Sequence, residues 1–152
     1  MKQPIPRKDF KGIIQHPGSA VVLAFDQAQR LMLVEVPRQE WEHAVSWELP
    51  GGVREAEETF EQAAHRECLE ETGYRLGQTE KLLEYQIPVG YANEVVHFFT
   101  APIGELSTQI QPEHTVVFLS LSEVAEWMQA GKIQDGQTLL GVLFYLQFKR
   151  HG

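Results

Sequence analysis

Apolar and polar positions along the chain follow first a strand rhythm and then a helical one. Ala20 to Phe25 and Leu31 to Val36 are short runs rich in Val and Leu, separated by the polar stretch Asp26 to Arg30. Two such runs around a polar turn predict a β-hairpin. A further strand is predicted to end at Leu49, where Pro50, Gly51 and Gly52 impose a loop. Leu82 to Ile87, Glu94 to Thr100 and Val116 to Leu119 read as three more strands, the first two joined by a turn around Gly90.

Helical spacing takes over in three places. From Thr59 to Thr72, Thr59 and Gln62 form a capping box, Ala63 and Ala64 favour helix, and Gly73 supplies a left-handed C-terminal cap. Ser120 and Glu123 make a second capping box, opening a helix that runs to about Ala130 and stops at Gly131. Asp135 caps a last helix, whose Leu139, Leu140, Leu143, Leu146 and Phe148 recur at helical spacing. The sum is an α/β fold, a mixed α+β sheet sandwiched by helices.

No internal repeat, low-complexity run or Gly, Ser or Pro-rich linker interrupts the pattern, so the 152 residues are expected to form a single domain, 1–152. A hydrophobic content of 43% suffices for a core of that size. The only cysteine, Cys68, has no internal disulfide partner, which suits a reducing compartment and makes the cytoplasm the expected location. Met1 to Phe10 carries Lys2, Arg7 and Lys8 but no apolar region follows it, so neither secretion nor membrane insertion is expected. A net charge of −8 argues against a nonspecific grip on nucleic-acid phosphates. Much of that charge lies between Glu55 and Glu71, where it attracts cations.

Glu67, Glu70 and Glu71 fall at i, i+3 and i+4 of the first helix and share one face. On composition alone such a face is ordinary solvated surface. Like charges so close destabilise a helix, however, and a bound cation would relieve them. Magnesium suits a few hard carboxylate oxygens that it bridges to substrate phosphates. Upstream, Pro50, Gly51 and Gly52 let backbone groups approach a ligand closely. Arg66 either orients one of the carboxylates or is an ordinary helix ion pair.

The segment GGVREAEETFEQAAHRECLEETGY resembles the Nudix box, G-x5-E-x7-R-E-U-x-E-E-x-G-U with U a bulky apolar residue. The fixed positions match at Gly52, Glu58, Arg66, Glu67, Glu70, Glu71 and Gly73, so the box spans residues 52–74. Agreement of that kind arises by chance in roughly one window in 10^8, which excludes coincidence. Cys68 and Tyr74 fill the U positions, which usually hold aliphatic residues; Cys68 reads as a buried inert thiol.

The resemblance implies the Nudix fold, an α/β/α sandwich, and metal-dependent hydrolysis of a nucleoside diphosphate joined to another group. It implies metal ligation by Glu67 and Glu71, with Glu70 as a third ligand or the group that polarises water, and the Gly51 carbonyl as a backbone ligand. It further implies that Arg66 orients the helix carboxylates, that Glu58 braces the loop or assists a second metal, and that Gly52 and Gly73 have backbone roles. Magnesium, or manganese, is the implied cofactor. A homodimer is the implied assembly.

Beyond the box, the chain is similar to the ADP-ribose pyrophosphatase branch over about Gln15 to Leu146. His16, Pro17 and Gly18, then Arg38, then Trp47, Glu48, Leu49 and Pro50 carry this likeness. Gly90, Asn93 and Glu94 ahead of a strand ending in Ala101, and the segment GKIQDGQTLLGVL at 131–143, extend it. Two positions depart from the branch: it reads Pro-Ala-Gly where this chain has Pro50, Gly51, Gly52, and its marker proline aligns with Val89 while the proline here is Pro88.

Candidate substrate-binding residues are Arg38, Trp47, Glu48 and Glu94. Arg38 is either a phosphate ligand or a surface arginine, and Trp47 either packs in the core or stacks on adenine. The resemblance places the general base on a late loop, where Glu113 is the candidate and a solvated carboxylate the alternative. His114 reads as a bystander.

The resulting expectation is hydrolysis of ADP-ribose to AMP and ribose 5-phosphate. The alternatives are another nucleotide sugar, a dinucleoside polyphosphate or a dinucleotide cofactor, or a catalytically retired Nudix fold serving as a binding module.

Overall fold

Along Ser19–Phe25, the first strand β1, every side chain is buried, and alternate ones face opposite ways. Val21, Leu23 and Phe25 belong to one apolar cluster, whereas Ala20, Val22 and Ala24 belong to another. A period of two, apolar on both faces, is what a central strand covered by helices on each side requires. The computed structural model describes residues 13–39, 45–87 and 92–149. The expected turn around Gly90 and the Pro88 and Val89 positions lie outside them, as does the segment Met1 to Phe10.

The other strands are β2 (Leu31–Pro37), β3 (Val45–Glu48), β4 (Gly51–Val53), β5 (Tyr74–Leu76), β6 (Glu80–Gln86), β7 (Val95–Leu106) and β8 (Thr115–Leu119). The helices are α1 (Phe60–Thr72), α2 (Leu121–Gln129) and α3 (Gly136–Phe148). β1 runs parallel to β7, with Val21 opposite Phe98, and antiparallel to β2 and β4; β2 also pairs with β3 and β8, and β7 with β5 and β6. The sheet is therefore mixed, as the sequence pattern predicts.

Helix α1 covers the face carrying Ala20, Val22 and Ala24, packing them with its own small residues Ala63, Ala64 and Cys68. Small side chains on both elements let the helix lie close to the strand. Helices α2 and α3 cover the other face through Val124 and Val142, against Leu23, Leu33 and Phe98. α3 lies close over the sheet at Gly141, where a Cβ would stand 2.9 Å from the Phe98 ring. Each fully buried Leu or Phe in this layer contributes about 1.5–3 kcal/mol relative to its exposed state.

The helix termini agree with the sequence. Thr59 with Gln62 and Ser120 with Glu123 form complete capping boxes, Asp135 accepts the Thr138 amide, and Gly73 ends α1 at φ 78°. Three strand boundaries differ. Gly51 and Gly52, read as loop, belong to β4, because β1 extends far enough to pair Ala20 with Gly52 and Val21 with Gly51. Tyr74–Leu76 is an additional strand held by β7, which itself continues past Thr100 to Leu106. These short strands have no periodicity of their own; they are extended because a long neighbour offers them unpaired backbone groups.

Candidate active site

The carboxylate face of α1 meets strand β4. Glu71 is 6% exposed and accepts the Gly51 amide on Oε1 at 2.9 Å. Burial, with the charges of Glu67, Glu113 and Glu48 around it, raises its pKa from 4.5 to about 8. Glu67 is half-buried, and burial raises its pKa too, against the opposing effect of Arg66. Gly52 lies under Glu67 so closely that a Cβ there would stand 2.5 Å from the carboxyl carbon. Backbone makes the adjoining position stricter: a Cβ on Gly51 would lie 2.9 Å from the Val21 Cα and closer still to the Ala20 carbonyl oxygen.

Arg66 organises the acidic groups around it. Its Nε donates to Glu58 Oε1 at 2.5 Å, Nη1 to Glu67 Oε1 at 2.9 Å and to Glu70 Oε2 at 3.2 Å, and Nη2 to the Val53 carbonyl at 3.0 Å. Glu58 is held below the usual carboxylate range, chiefly by that hydrogen bond, and the guanidinium is correspondingly raised by Glu58. A planar fork able to satisfy several oxygens at fixed angles is specific to arginine. The same network fixes Glu58, which also accepts the Glu55 amide at 2.9 Å and so braces the turn before α1.

The segment before β8 docks on the end of α1. Glu113 and His114 donate their amides to the Glu70 and Glu71 carbonyls at 3.1 and 3.0 Å, satisfying two acceptors that the helix end leaves open. Glu113 thereby comes near enough for its charge to act on both Glu67 and Glu71. His114, read from sequence as a bystander, has Nε2 3.7 Å from Glu71 Oε2.

The candidate binding residues flank this turn. Arg38 and Glu48 form a two-point ion pair at 3.1 and 2.9 Å. Trp47 is half-buried, packs edge-on against Trp127 at 5.3 Å and also lines a cavity of about 670 Å³. Glu94 accepts the Ser19 hydroxyl at 2.6 Å, with His16 Nε2 3.9 Å away. Cys68 is buried, and its thiol is pushed up to about 11 by that burial, so it stays protonated and unreactive. Tyr74 packs edge-on against Phe118 at 5.7 Å.

One positioning residue escapes a reading by motif. Thr138 is fully buried; its Oγ1 accepts the Leu49 amide at 2.9 Å and donates to Asp135 Oδ2 at 2.7 Å. It ties the strand corner that leads into Pro50 and Gly51 to the start of α3. The 89 residues between it and Leu49 hide the contact: the likeness at 131–143 covers Thr138 but gives it no role.

The donor set suits a hard divalent cation. Glu67 and Glu71 bring carboxyl oxygens to one turn within reach of the Glu113 charge, burial favours the protonated form of Glu71, and the Glu67 carboxyl lies against the bare Cα of Gly52. Among the described residues no group of three or more His, Cys, Asp or Glu side chains stands placed to hold a metal ion. Arg66 accounts for this, because it draws Glu67 and Glu70 toward itself. An open set that leaves ligand positions to backbone, water or phosphate is the arrangement magnesium favours.

Comparison with known proteins places the chain. The sequence model of the NUDIX domain matches residues 15–140. The methanol dehydrogenase activator of Bacillus methanolicus is 30% identical over 142 residues, covering 90% of this chain and 76% of that protein. The ADP-ribose pyrophosphatase of Bacillus subtilis (strain 168) is likewise 30% identical over 142 residues, with the same coverage of 90% and 76%. Among solved structures, an ADP compounds hydrolase superposes with a TM-score of 0.76 over 88% of this chain and 73% of that one, at 13% identity, a likeness of fold.

Proposed function

The chain belongs to the Nudix family of pyrophosphohydrolases, and on that premise we propose that it hydrolyses the pyrophosphate bond of ADP-ribose, releasing AMP and ribose 5-phosphate. The observation that carries the reading is the buried Glu71 beside Glu67, within reach of the Glu113 charge, on a turn organised by Arg66. Carboxylates crowded in this way repel one another unless one of them takes up a proton or a dication joins them.

Glu67 and Glu71 would hold the ion, with Glu70 and the Gly51 carbonyl as further ligands and Glu58 serving the turn or a second ion. Magnesium, or manganese, would supply Lewis acidity toward the diphosphate and a more acidic water. The protein's own groups then do the rest. Arg66 keeps Glu67 and Glu70 in fixed orientations, so little reorganisation is needed when charge builds up on the phosphate. Glu113, anchored through its amide to the Glu70 carbonyl, is the group we assign to take the proton of the attacking water. Arg38, paired with Glu48, stands at the cavity edge where a phosphate oxygen would meet its guanidinium.

The 30% identity to a pyrophosphatase named for ADP-ribose supports that substrate. The proposed assembly is a homodimer, on family grounds. The proposed compartment is the cytoplasm, supported by a lone buried free thiol; among the described residues no helix is long and apolar enough to cross a membrane.

The test is a hydrolysis panel over nucleoside diphosphate compounds, with and without magnesium, identifying both products. Preferential conversion of ADP-ribose to AMP and ribose 5-phosphate is expected. Binding without hydrolysis in either magnesium or manganese would instead make this a retired fold that serves as a binding module.

A further inference from the structure

The Arg38–Glu48 ion pair, with Asp135 and Gly136, forms a wall shared by two cavities. The smaller, about 380 Å³, reaches Gly51 and Gly52 beside the carboxylate turn, and its remaining polar lining comes from Ser19, Tyr85 and Gln137. The larger, about 670 Å³, extends away from that turn and is lined by Trp47, Ser46, Lys132 and Gln134. The result is a cleft with a charged waist, one end walled by the Trp47 indole and the other by hydroxyl and amide groups beside Val21, Leu49, Val53 and the Tyr85 ring.

We infer that the larger cavity is the nucleobase subsite, with Trp47 as its aromatic wall and the Gln134 carboxamide as the group that meets the base edge. The inference rests on the proposed function and adds to it the direction in which the substrate lies. A diphosphate cleaved at the carboxylate turn leaves one half of the substrate in each cavity. The hydroxyl and amide lining beside Gly51 suits a hydroxyl-rich sugar phosphate. A planar heterocycle needs an apolar or aromatic wall and a few directional polar groups, which the other end supplies.

The wall is fixed in place. Trp127 packs edge-on to the Trp47 ring at 5.3 Å, and the Lys132 ammonium lies 4.0 Å over Trp127, so Lys132 braces the aromatic pair. Gln134 lies over Gly131, whose φ of 73° turns the chain sharply there; the amide nitrogen is 3.6 Å from where a Cβ would stand. A carboxamide has both a donor and an acceptor end. It therefore meets the donor and acceptor edge of adenine and, with the amide turned over, that of guanine. Discrimination between purines at this subsite is weak for that reason.

The experiment is calorimetric titration of the full chain with AMP, GMP and ribose 5-phosphate, each without and with magnesium. Gln134 is exposed, so the variants are expected to unfold at the wild-type temperature, which is checked first. Gln134→Leu should weaken AMP about tenfold, the effect of one lost hydrogen bond, and leave ribose 5-phosphate unchanged. Gln134→Glu should move the GMP to AMP affinity ratio about tenfold toward GMP, because a carboxylate accepts from both N1–H and N2–H2 of guanine.

The inference is overturned if the wild type binds AMP in neither condition, if Gln134→Leu weakens ribose 5-phosphate as much as AMP, or if Gln134→Glu leaves the purine ratio unmoved. Failure of the proposed hydrolysis shows separately, as an inactive substrate panel with nucleotide titrations that still respond to Gln134. An active panel with insensitive titrations removes the base subsite alone.

Discussion

Gly52 and Glu67 occupy almost the same space: a Cβ on the glycine would lie 2.5 Å from the Glu67 carboxyl carbon. The atoms it meets are the far end of a flexible side chain, which can swing aside. Gly52→Ala is therefore expected to fold with a melting temperature near that of the wild type while displacing Glu67, and calorimetry should show weaker divalent-ion binding. At Gly51 the obstruction is the backbone of Ala20 and Val21, which cannot swing. Gly51→Ala should cost about 1–3 kcal/mol in denaturant unfolding. Equal stability losses in the two variants would contradict this distinction.

Glu71 gives a pH signature in the metal-free protein. Its pKa rises from 4.5 to about 8 on folding, so the native state favours the protonated carboxyl. The stabilisation is fully present below 4.5 and is lost as pH climbs through about 8, at about 1.4 kcal/mol per pH unit for one proton. Glu71→Gln keeps an acceptor for the Gly51 amide and has no proton to lose. The unfolding free energy of the wild type should fall relative to Glu71→Gln between pH 5 and 8, and added magnesium should flatten that fall. Parallel pH curves for the two proteins would refute the assignment.

The same Glu71→Gln variant should lower magnesium-dependent kcat/KM at least about a hundredfold, since it removes a negative ligand from the phosphate-facing turn. Turnover of ADP-ribose and related diphosphates by the variant at the wild-type rate would mean that Glu71 holds no ion during the reaction.

Arg66 donates to Glu58, Glu67, Glu70 and the Val53 carbonyl. A lysine keeps the charge but has no planar fork. Arg66→Lys is expected to cost about 1–3 kcal/mol in chemical denaturation, the loss of part of a half-buried charged network. Its effect on kcat should exceed that on KM, because the displaced carboxylates act on the reacting phosphate rather than on the bound nucleotide.

Thr138→Val removes the acceptor of the buried Leu49 amide at nearly constant volume. Leaving that donor unpaired should cost about 1–3 kcal/mol. Hydrogen exchange at the Leu49 amide should accelerate beyond what this global loss explains. If exchange there is unchanged, Thr138 does not anchor the corner.

The candidate site residues of α1 could be picked out from sequence because their information is local. One helix with its caps holds Glu58 at its entry and Arg66, Glu67, Glu70 and Glu71 on its surface, and spacing alone puts the last three on one face. The strand at Ala20 to Phe25 was equally legible, as an unbroken apolar run, whereas the burial of both its faces follows from the helices packed on either side. Gly51–Val53 and Tyr74–Leu76 were not legible, since two short segments become strands only when β1 and β7 lend them partners.

Sequence by itself determined the helix that carries the glutamates, the glycines that bound it and the family to which the chain belongs, because each depends on residues within a few turns of one another. Tertiary structure alone decided that Glu71 is buried on the Gly51 amide, that Glu113 and His114 arrive at the end of α1, that Arg38 pairs with Glu48 and that Thr138 secures Leu49. Those relationships join positions from 10 to 89 residues apart. Which of many polar groups meet across such distances depends on how the sheet is ordered and how deeply each group is taken out of water, and no local pattern encodes either.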